Sequence, residues 1–191
     1  MKIRESGMPD QNMWVSFFDP GKVLATLGMN THIGDVAEFG CGYGTFTIPA
    51  AKIIKGNIYA LDIEPEMIQA TNEEAAMQNL DNVKAMTRDF MAQGSGLPDQ
   101  TVDYVMLFNI LHLENPDVLL NEAWRVLKNS GKLGIIHWRY DLTTPRGPSM
   151  EIRPKPEDCI RWAAAAGFGD PQQYDLKPYH YGITMSKEVS K

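Results

Sequence analysis

The chain has 191 residues, 43% hydrophobic and 22% charged, the size and balance of one globular domain able to bury a core without staples. A formal net charge of −6 offers no broad basic footprint, so nucleic acid is not expected as the main partner, and Cys41 and Cys159 are too few for a disulfide framework or a cysteine-ligated metal site. No apolar run reaches 18 residues and the first residues lack the charged-then-apolar layout of a secretion signal, so a cytoplasmic protein with no membrane contact is the expectation.

Residues 1–13 are polar and Met-rich and read as flexible when no ligand is bound. Trp14, Val15, Phe17 and Phe18 form an aromatic cluster, and Asp19-Pro20 supplies the N-cap and N1 signature of a helix to about Leu27. Residues 1–30 thus read as an N-terminal cap within a single domain, 1–191. An alternation of patterns follows: strand Val36–Phe39, helix Thr45–Ile54, strand Asn57–Leu61, a helix opened by Pro65 to about Gln78, and a short strand Val83–Thr87. Thr101–Phe108 is nearly all apolar, as a central parallel strand buried on both faces requires. Asn115-Pro116 caps a helix to about Lys128, and Gly131–Trp138 is a fifth strand. Residues 139–155 read as a long loop, Pro156 opens a helix ending at Gly167, and Gln172–Ser186 reads as two strands around Lys177-Pro178. The predicted fold is α/β: a doubly wound, mostly parallel seven-stranded sheet with an antiparallel edge hairpin at the C-terminus.

The most informative segment is Glu38-Phe39-Gly40-Cys41-Gly42-Tyr43-Gly44, three alternate glycines at a strand-to-helix turn. Such a turn presents backbone N–H groups and a helix start to a ligand, and a Cβ would obstruct the approach. A dinucleotide fingerprint would want its third glycine at position 45, which is Thr, and the Gly-Lys-Ser/Thr of a phosphate-binding loop is missing. A glycine turn with no ligand is the plain alternative. Asp62, at the end of the second strand, can accept from both hydroxyls of a ribose or serve only as a helix-entry carboxylate. Asp89, after the third strand, can take an adenine amino group or face solvent. Glu38 in an apolar strand end is costly to bury unpaired, which a cationic ligand or a structural partner would explain.

Residues 36–136 resemble the class I S-adenosylmethionine-dependent methyltransferases, a family with a Rossmann-like fold. The E-x-G-x-G-x-G turn is similar to the family's first motif and Tyr59-Ala60-Leu61-Asp62 to its second. Arg88-Asp89-Phe90 with Leu97-Pro98 resembles the third, and Val102-Asp103-Tyr104-Val105 the fourth. Leu127–Leu133 resembles L-K-P-G-G-x-L, with Asn129-Ser130 where the pattern has Pro-Gly. The resemblance is strongest to the small-molecule branch, near the quinone-biosynthesis C-methyltransferases. It implies that Glu38 and the turn of Gly40, Cys41, Gly42 and Gly44 hold the methionine portion of S-adenosylmethionine. It further implies that Asp62 binds the ribose and Ile63 packs on the adenine. Asp89 and Phe90 would reach the adenine amino group and ring edge, and Asn109 would sit beside the reactive methyl.

Methyl transfer is an in-line displacement that depends on aligning the nucleophile, and a base is needed only where the acceptor loses a proton. His112 is the best-placed candidate base; His137 reads equally as a core histidine, and His180 and Tyr181 as sheet packing. Trp14, Phe17 and Phe18 are candidates for a lid over an acceptor, or for a staple on the following helix. Trp138, Arg139 and Tyr140 are candidates for a second wall. The acceptor is expected to be a small molecule. The absence of N/D-P-P-Y/F after the fourth strand speaks against adenine or amide nitrogen as the target. A non-catalytic protein that binds the cofactor for regulation is the alternative in another class.

Overall fold

The computed structural model describes residues 11–17 and 19–188; the proposed lid residue Phe18 and most of the segment read as flexible lie outside them. In chain order the elements are α1 (Gln11–Phe17), α2 (Pro20–Thr26), β1 (Val36–Phe39), α3 (Thr47–Ile53), β2 (Ile58–Asp62), α4 (Pro65–Met77) and β3 (Val83–Thr87). There follow α5 (Phe90–Gln93), β4 (Val102–Phe108), α6 (Pro116–Val126), β5 (Leu127–Trp138), α7 (Pro156–Ala165), β6 (Phe168–Leu176) and β7 (His180–Lys187). The sheet order is β3-β2-β1-β4-β5-β7-β6, with the first five strands parallel and β7 antiparallel to both neighbours. This is the predicted architecture, including the C-terminal antiparallel pair.

Winding outward from β1 in both directions leaves a crevice between the carboxyl ends of β1 and β4, where open α/β sheets take ligands. The sheet is buried on both faces. Along β4, Val105 and Leu107 face one core with Leu119, Leu120, Ile135 and Ile183, while Tyr104 and Met106 face the other with Leu24, Leu27, Ile58 and Trp138. That two-sided burial is why the strand reads as an unbroken apolar run. Asp19 caps α2 by accepting from the Lys22 amide at 3.0 Å, and the Tyr104 hydroxyl donates to the Leu27 carbonyl at 2.9 Å, tying the N-terminal helix to the central strand.

Four features differ from the expectation. Residues 11–17 form a helix. Asp89 accepts from the Ala92 amide and opens the short α5. β5 begins at Leu127, directly after α6: Leu127 pairs with Val102, Lys128 reaches Asp103 on β4 at 3.0 Å, and the regular ladder resumes at Lys132 after a register shift. β6 begins at Phe168 because an edge strand needs no apolar alternation, and most of its residues are exposed. The Asn129-Ser130 departure has a local consequence: Ser130 takes φ +62°, the left-handed region where glycine is unstrained. Ser130→Gly is therefore expected to raise stability by about 0.5–1 kcal/mol, or about 1–4 °C of melting temperature, measurable by calorimetry.

Candidate functional site

The glycine turn lies at the carboxyl edge of the sheet, between β1 and α3. Gly40, Gly42 and Gly44 have φ of +79°, +54° and +78°, conformations costly for any residue with a Cβ. A Cβ on Gly40 would also lie 2.8 Å from Ile110 Cδ1. The turn is fastened from two directions. The Gly40 and Cys41 amides donate to the Leu61 carbonyl at 2.7 and 3.1 Å. Gly42 donates its amide to Asp62 Oδ2 at 2.9 Å and accepts at its carbonyl from Thr71 Oγ1 at 3.0 Å. Thr71, fully buried on α4, was not singled out in the sequence; nothing in a helix-interior threonine announces that it braces a distant turn.

Asp62 has the helix-entry role weighed for it, its Oδ1 accepting from the Glu64 amide at 3.1 Å at the entry to α4, and its Oδ2 also accepts from the Gly42 amide. Each oxygen retains a further acceptor direction for ligand hydroxyls. Ile63 is half-buried beside it. Cys41 is 5% exposed and burial pushes its thiol far up, so its contribution to the turn is its backbone.

Glu38 is buried at the end of β1, where its partner is the Thr47 hydroxyl. Burial, only partly offset by that hydrogen bond and reinforced by the nearby Asp62 charge, raises its carboxyl to about 8. Asn109, just past the end of β4, takes φ +56°, its amide donating to the Ile136 carbonyl at 2.7 Å. The Asn109 Oδ1 is buried and has no hydrogen-bond partner among the described residues. Each of the two, a buried carboxyl held neutral and an orphaned amide oxygen after the neighbouring strand, is a group that a cationic donor such as an ammonium would satisfy. This fits the methionine end of S-adenosylmethionine.

Asp89 stands at the end of β3, partly exposed, with one oxygen used to cap α5. The Phe90 ring does not reach the crevice. It is 3% exposed and packs edge-on against Phe39 at 5.4 Å, so its place at an adenine edge is corrected: only its backbone is available there.

Of the proposed second wall, Trp138 is corrected in the same way. Trp138 is 1% exposed, stacked on Trp14 at 5.6 Å and 11°, with Phe17 edge-on at 5.6 Å and His180 at 4.1 Å. It anchors α1 rather than lining open space, and Trp14 stacks on this last residue of β5 within the apolar cluster that also holds Val23 and Leu24 of α2. Arg139 is ion-paired to Asp141 at 2.7 Å. Tyr140 is half-buried with the Lys155 ammonium 5.6 Å above its ring. Arg153 is 8% exposed and donates to the carbonyls of Arg139, Pro148 and Arg146 and to the Thr144 hydroxyl, its guanidinium 5.7 Å over Trp138. His112, three residues past Asn109, is buried with Nδ1 3.3 Å from His137 Nε2.

Residues 36–131 match the family described as a methyltransferase domain. The chain is 31% identical over 147 residues to a demethylmenaquinone methyltransferase of Lactobacillus johnsonii, covering 74% of this chain and 55% of that protein. It is 25% identical over 158 residues to a ribosomal protein L11 methyltransferase of Clostridium botulinum, covering 74% of this chain and 49% of that one. The chain thus spans about half the length of the curated relatives it matches. A solved structure of an S-adenosylmethionine-dependent methyltransferase from Aquifex aeolicus superposes with a TM-score of 0.83 and 27% identity, covering 93% of this chain and 94% of that one. No helix among the described residues is long and apolar enough to cross a membrane.

Proposed function

The chain belongs to the S-adenosylmethionine-dependent methyltransferases, and on that premise we propose that it moves a methyl group from this cofactor to a small-molecule acceptor in the cytoplasm. When bound, the cofactor supplies an electrophilic methyl on a sulfonium sulfur. The observation that carries the reading is the turn of three left-handed glycines next to the buried Glu38 of β1, with the orphaned Asn109 oxygen just past the neighbouring β4. Glu38 and Asn109 would hold the methionine ammonium, the turn amides its carboxylate, Asp62 the ribose hydroxyls, and Asp89 with the Phe90 backbone the adenine edge. Ile63 would pack on the adenine ring. The small-molecule acceptor is supported by the resemblance to quinone-type enzymes and by the demethylmenaquinone relative; the ribosomal-protein relative makes a protein acceptor the competing outcome.

Titration calorimetry with S-adenosylmethionine, S-adenosylhomocysteine and NAD tests the cofactor. The two sulfur ligands are expected to bind and NAD not; NAD binding without them overturns the reading. A labelled-methyl screen of metabolites against isolated ribosomal protein then separates the acceptors, transfer to the protein alone sinking the small-molecule assignment.

Glu38 adds a pH signature. Between its ordinary 4.5 and about 8 the ligand-free folded chain keeps a proton that the unfolded chain has released, so its stability falls as pH rises through that window. An ammonium beside the carboxyl favours ionisation, so cofactor affinity is expected to rise from about pH 6 to 8 with a proton released on binding. Glu38→Gln should flatten both trends. Buffer-dependent binding heats that show no proton release in the native chain would remove Glu38 from the ammonium site.

A further inference from the structure

Thr71 is fully buried on α4, and its hydroxyl bonds outside its own helix. A helical threonine commonly bonds the carbonyl three or four residues back. This one donates to the Gly42 carbonyl at 3.0 Å, 29 positions away in the chain. A carbonyl only accepts, so the hydroxyl's one proton is spent there, and towards the Cys41 sulfur, 3.9 Å away, the hydroxyl has only lone pairs to offer. The contact has little slack. A Cβ on Gly44 would lie 3.1 Å from Thr71 Oγ1 and 3.3 Å from its Cγ2. Cys41, Ala60 and Ile68 pack together beside it and fix α4 against the turn.

Holding that carbonyl sets the direction of an amide. The Gly42 C=O and the Tyr43 N–H belong to one trans peptide plane, so they point in opposite directions. With the carbonyl held on α4, the Tyr43 N–H faces away from that helix. Its neighbours in the turn are already engaged within the protein. Gly40 and Cys41 donate to the Leu61 carbonyl, Gly42 to Asp62 and Gly44 to the Cys41 carbonyl. The Tyr43 N–H has no acceptor among the described residues.

We propose that Thr71 is a positioning residue for the cofactor: by holding the Gly42 carbonyl it turns the Tyr43 N–H to the carboxylate of the methionine portion. This rests on the methyl-transfer reading above and narrows it from the turn as a whole to one amide and the side chain that orients it. An N–H needs an acceptor. At the methionine end the ammonium is a donor and the sulfonium a cation, so the carboxylate is the group this amide fits. Thr71 itself touches no part of the ligand and acts only through the peptide it holds.

The test uses the whole chain. Gly42-Tyr43 is the only Gly-Tyr pair in the sequence, so carbonyl-¹³C-glycine combined with ¹⁵N-tyrosine labels that one peptide. In the native chain its amide proton is expected to move downfield with S-adenosylhomocysteine. It should move much less with the decarboxylated analogue, which keeps the ammonium, the ribose and the adenine. Thr71→Val keeps the side-chain shape and removes the proton. It should weaken S-adenosylhomocysteine about 10-fold or more and the decarboxylated analogue less than about 2-fold, and Thr71→Ser should restore both affinities. Equal losses for the two ligands, or no loss for either, would leave Thr71 as a structural brace and overturn the proposal. A native peptide signal that does not respond to the carboxylate overturns it as well, and that result needs no variant to fold. Native chain that binds neither ligand sinks methyl transfer and this role with it, whereas binding of both without the split sinks only the role of Thr71.

Discussion

Replacing Asp62 with alanine is expected to weaken S-adenosylmethionine binding about 5- to 150-fold, the range that follows from about 1–3 kcal/mol for unpairing buried polar groups. The effect has two origins. Two backbone amides lose their acceptor, Gly42 at 2.9 Å and Glu64 at 3.1 Å, so the turn loosens and α4 loses a tether at its entry. The ligand's ribose hydroxyls lose theirs as well. S-adenosylhomocysteine carries the same ribose and should lose affinity by the same factor, because the methyl group is remote from this carboxylate. Asp62→Asn retains one acceptor oxygen and is expected to fall between. Calorimetry reads all three; an unchanged affinity in Asp62→Ala removes the residue from the ribose site and leaves it as a brace for Gly42.

The largest loss of stability is expected from Trp138→Ala. The indole is nearly inaccessible and fills the space between Trp14, Phe17 and His180, with Arg153 over its face. A Cβ on Gly147 would lie 2.8 Å from the ring, so the 139–155 loop rests directly on it. Deleting a fully buried large aromatic side chain costs about 3–5 kcal/mol, which for a chain of this length lowers the melting temperature by about 6–20 °C. The damage should be directional: α1 loses its main support, so limited proteolysis should cut near residues 11–17 before the sheet yields. Trp138→Phe should recover part of the loss. A melting temperature within about 3 °C of the native value would show that the aromatic cluster contributes little to the folded state.

The sheet and its cofactor edge were legible in the sequence because each signal there is local. Alternate glycines report positive φ, an apolar run reports a strand buried on both faces, and Asp-Pro and Asn-Pro report helix starts. What stayed hidden depends on which side of an element a residue faces. Phe90 and Trp138 follow strand ends and read as candidates for ligand contact, yet both rings turn into the core, Phe90 against Phe39 and Trp138 against Trp14. The Thr71 brace on Gly42 and the meeting of His112 with His137 join residues 29 and 25 positions apart, and no spacing rule connects them. The helix over 11–17 escaped because its aromatic residues pack on a strand more than a hundred positions later.

Arg153 has a consequence for how this chain can diversify. Its buried guanidinium gathers the 139–155 loop through three main-chain carbonyls and one hydroxyl. Carbonyls are present whatever side chain a position carries. The course of the loop is therefore insulated from substitutions along most of it, while the side chains it displays are free to vary. A single arginine lets the framework stay constant as the displayed surface drifts, and descendants of this chain could change what they contact there without rebuilding the domain beneath.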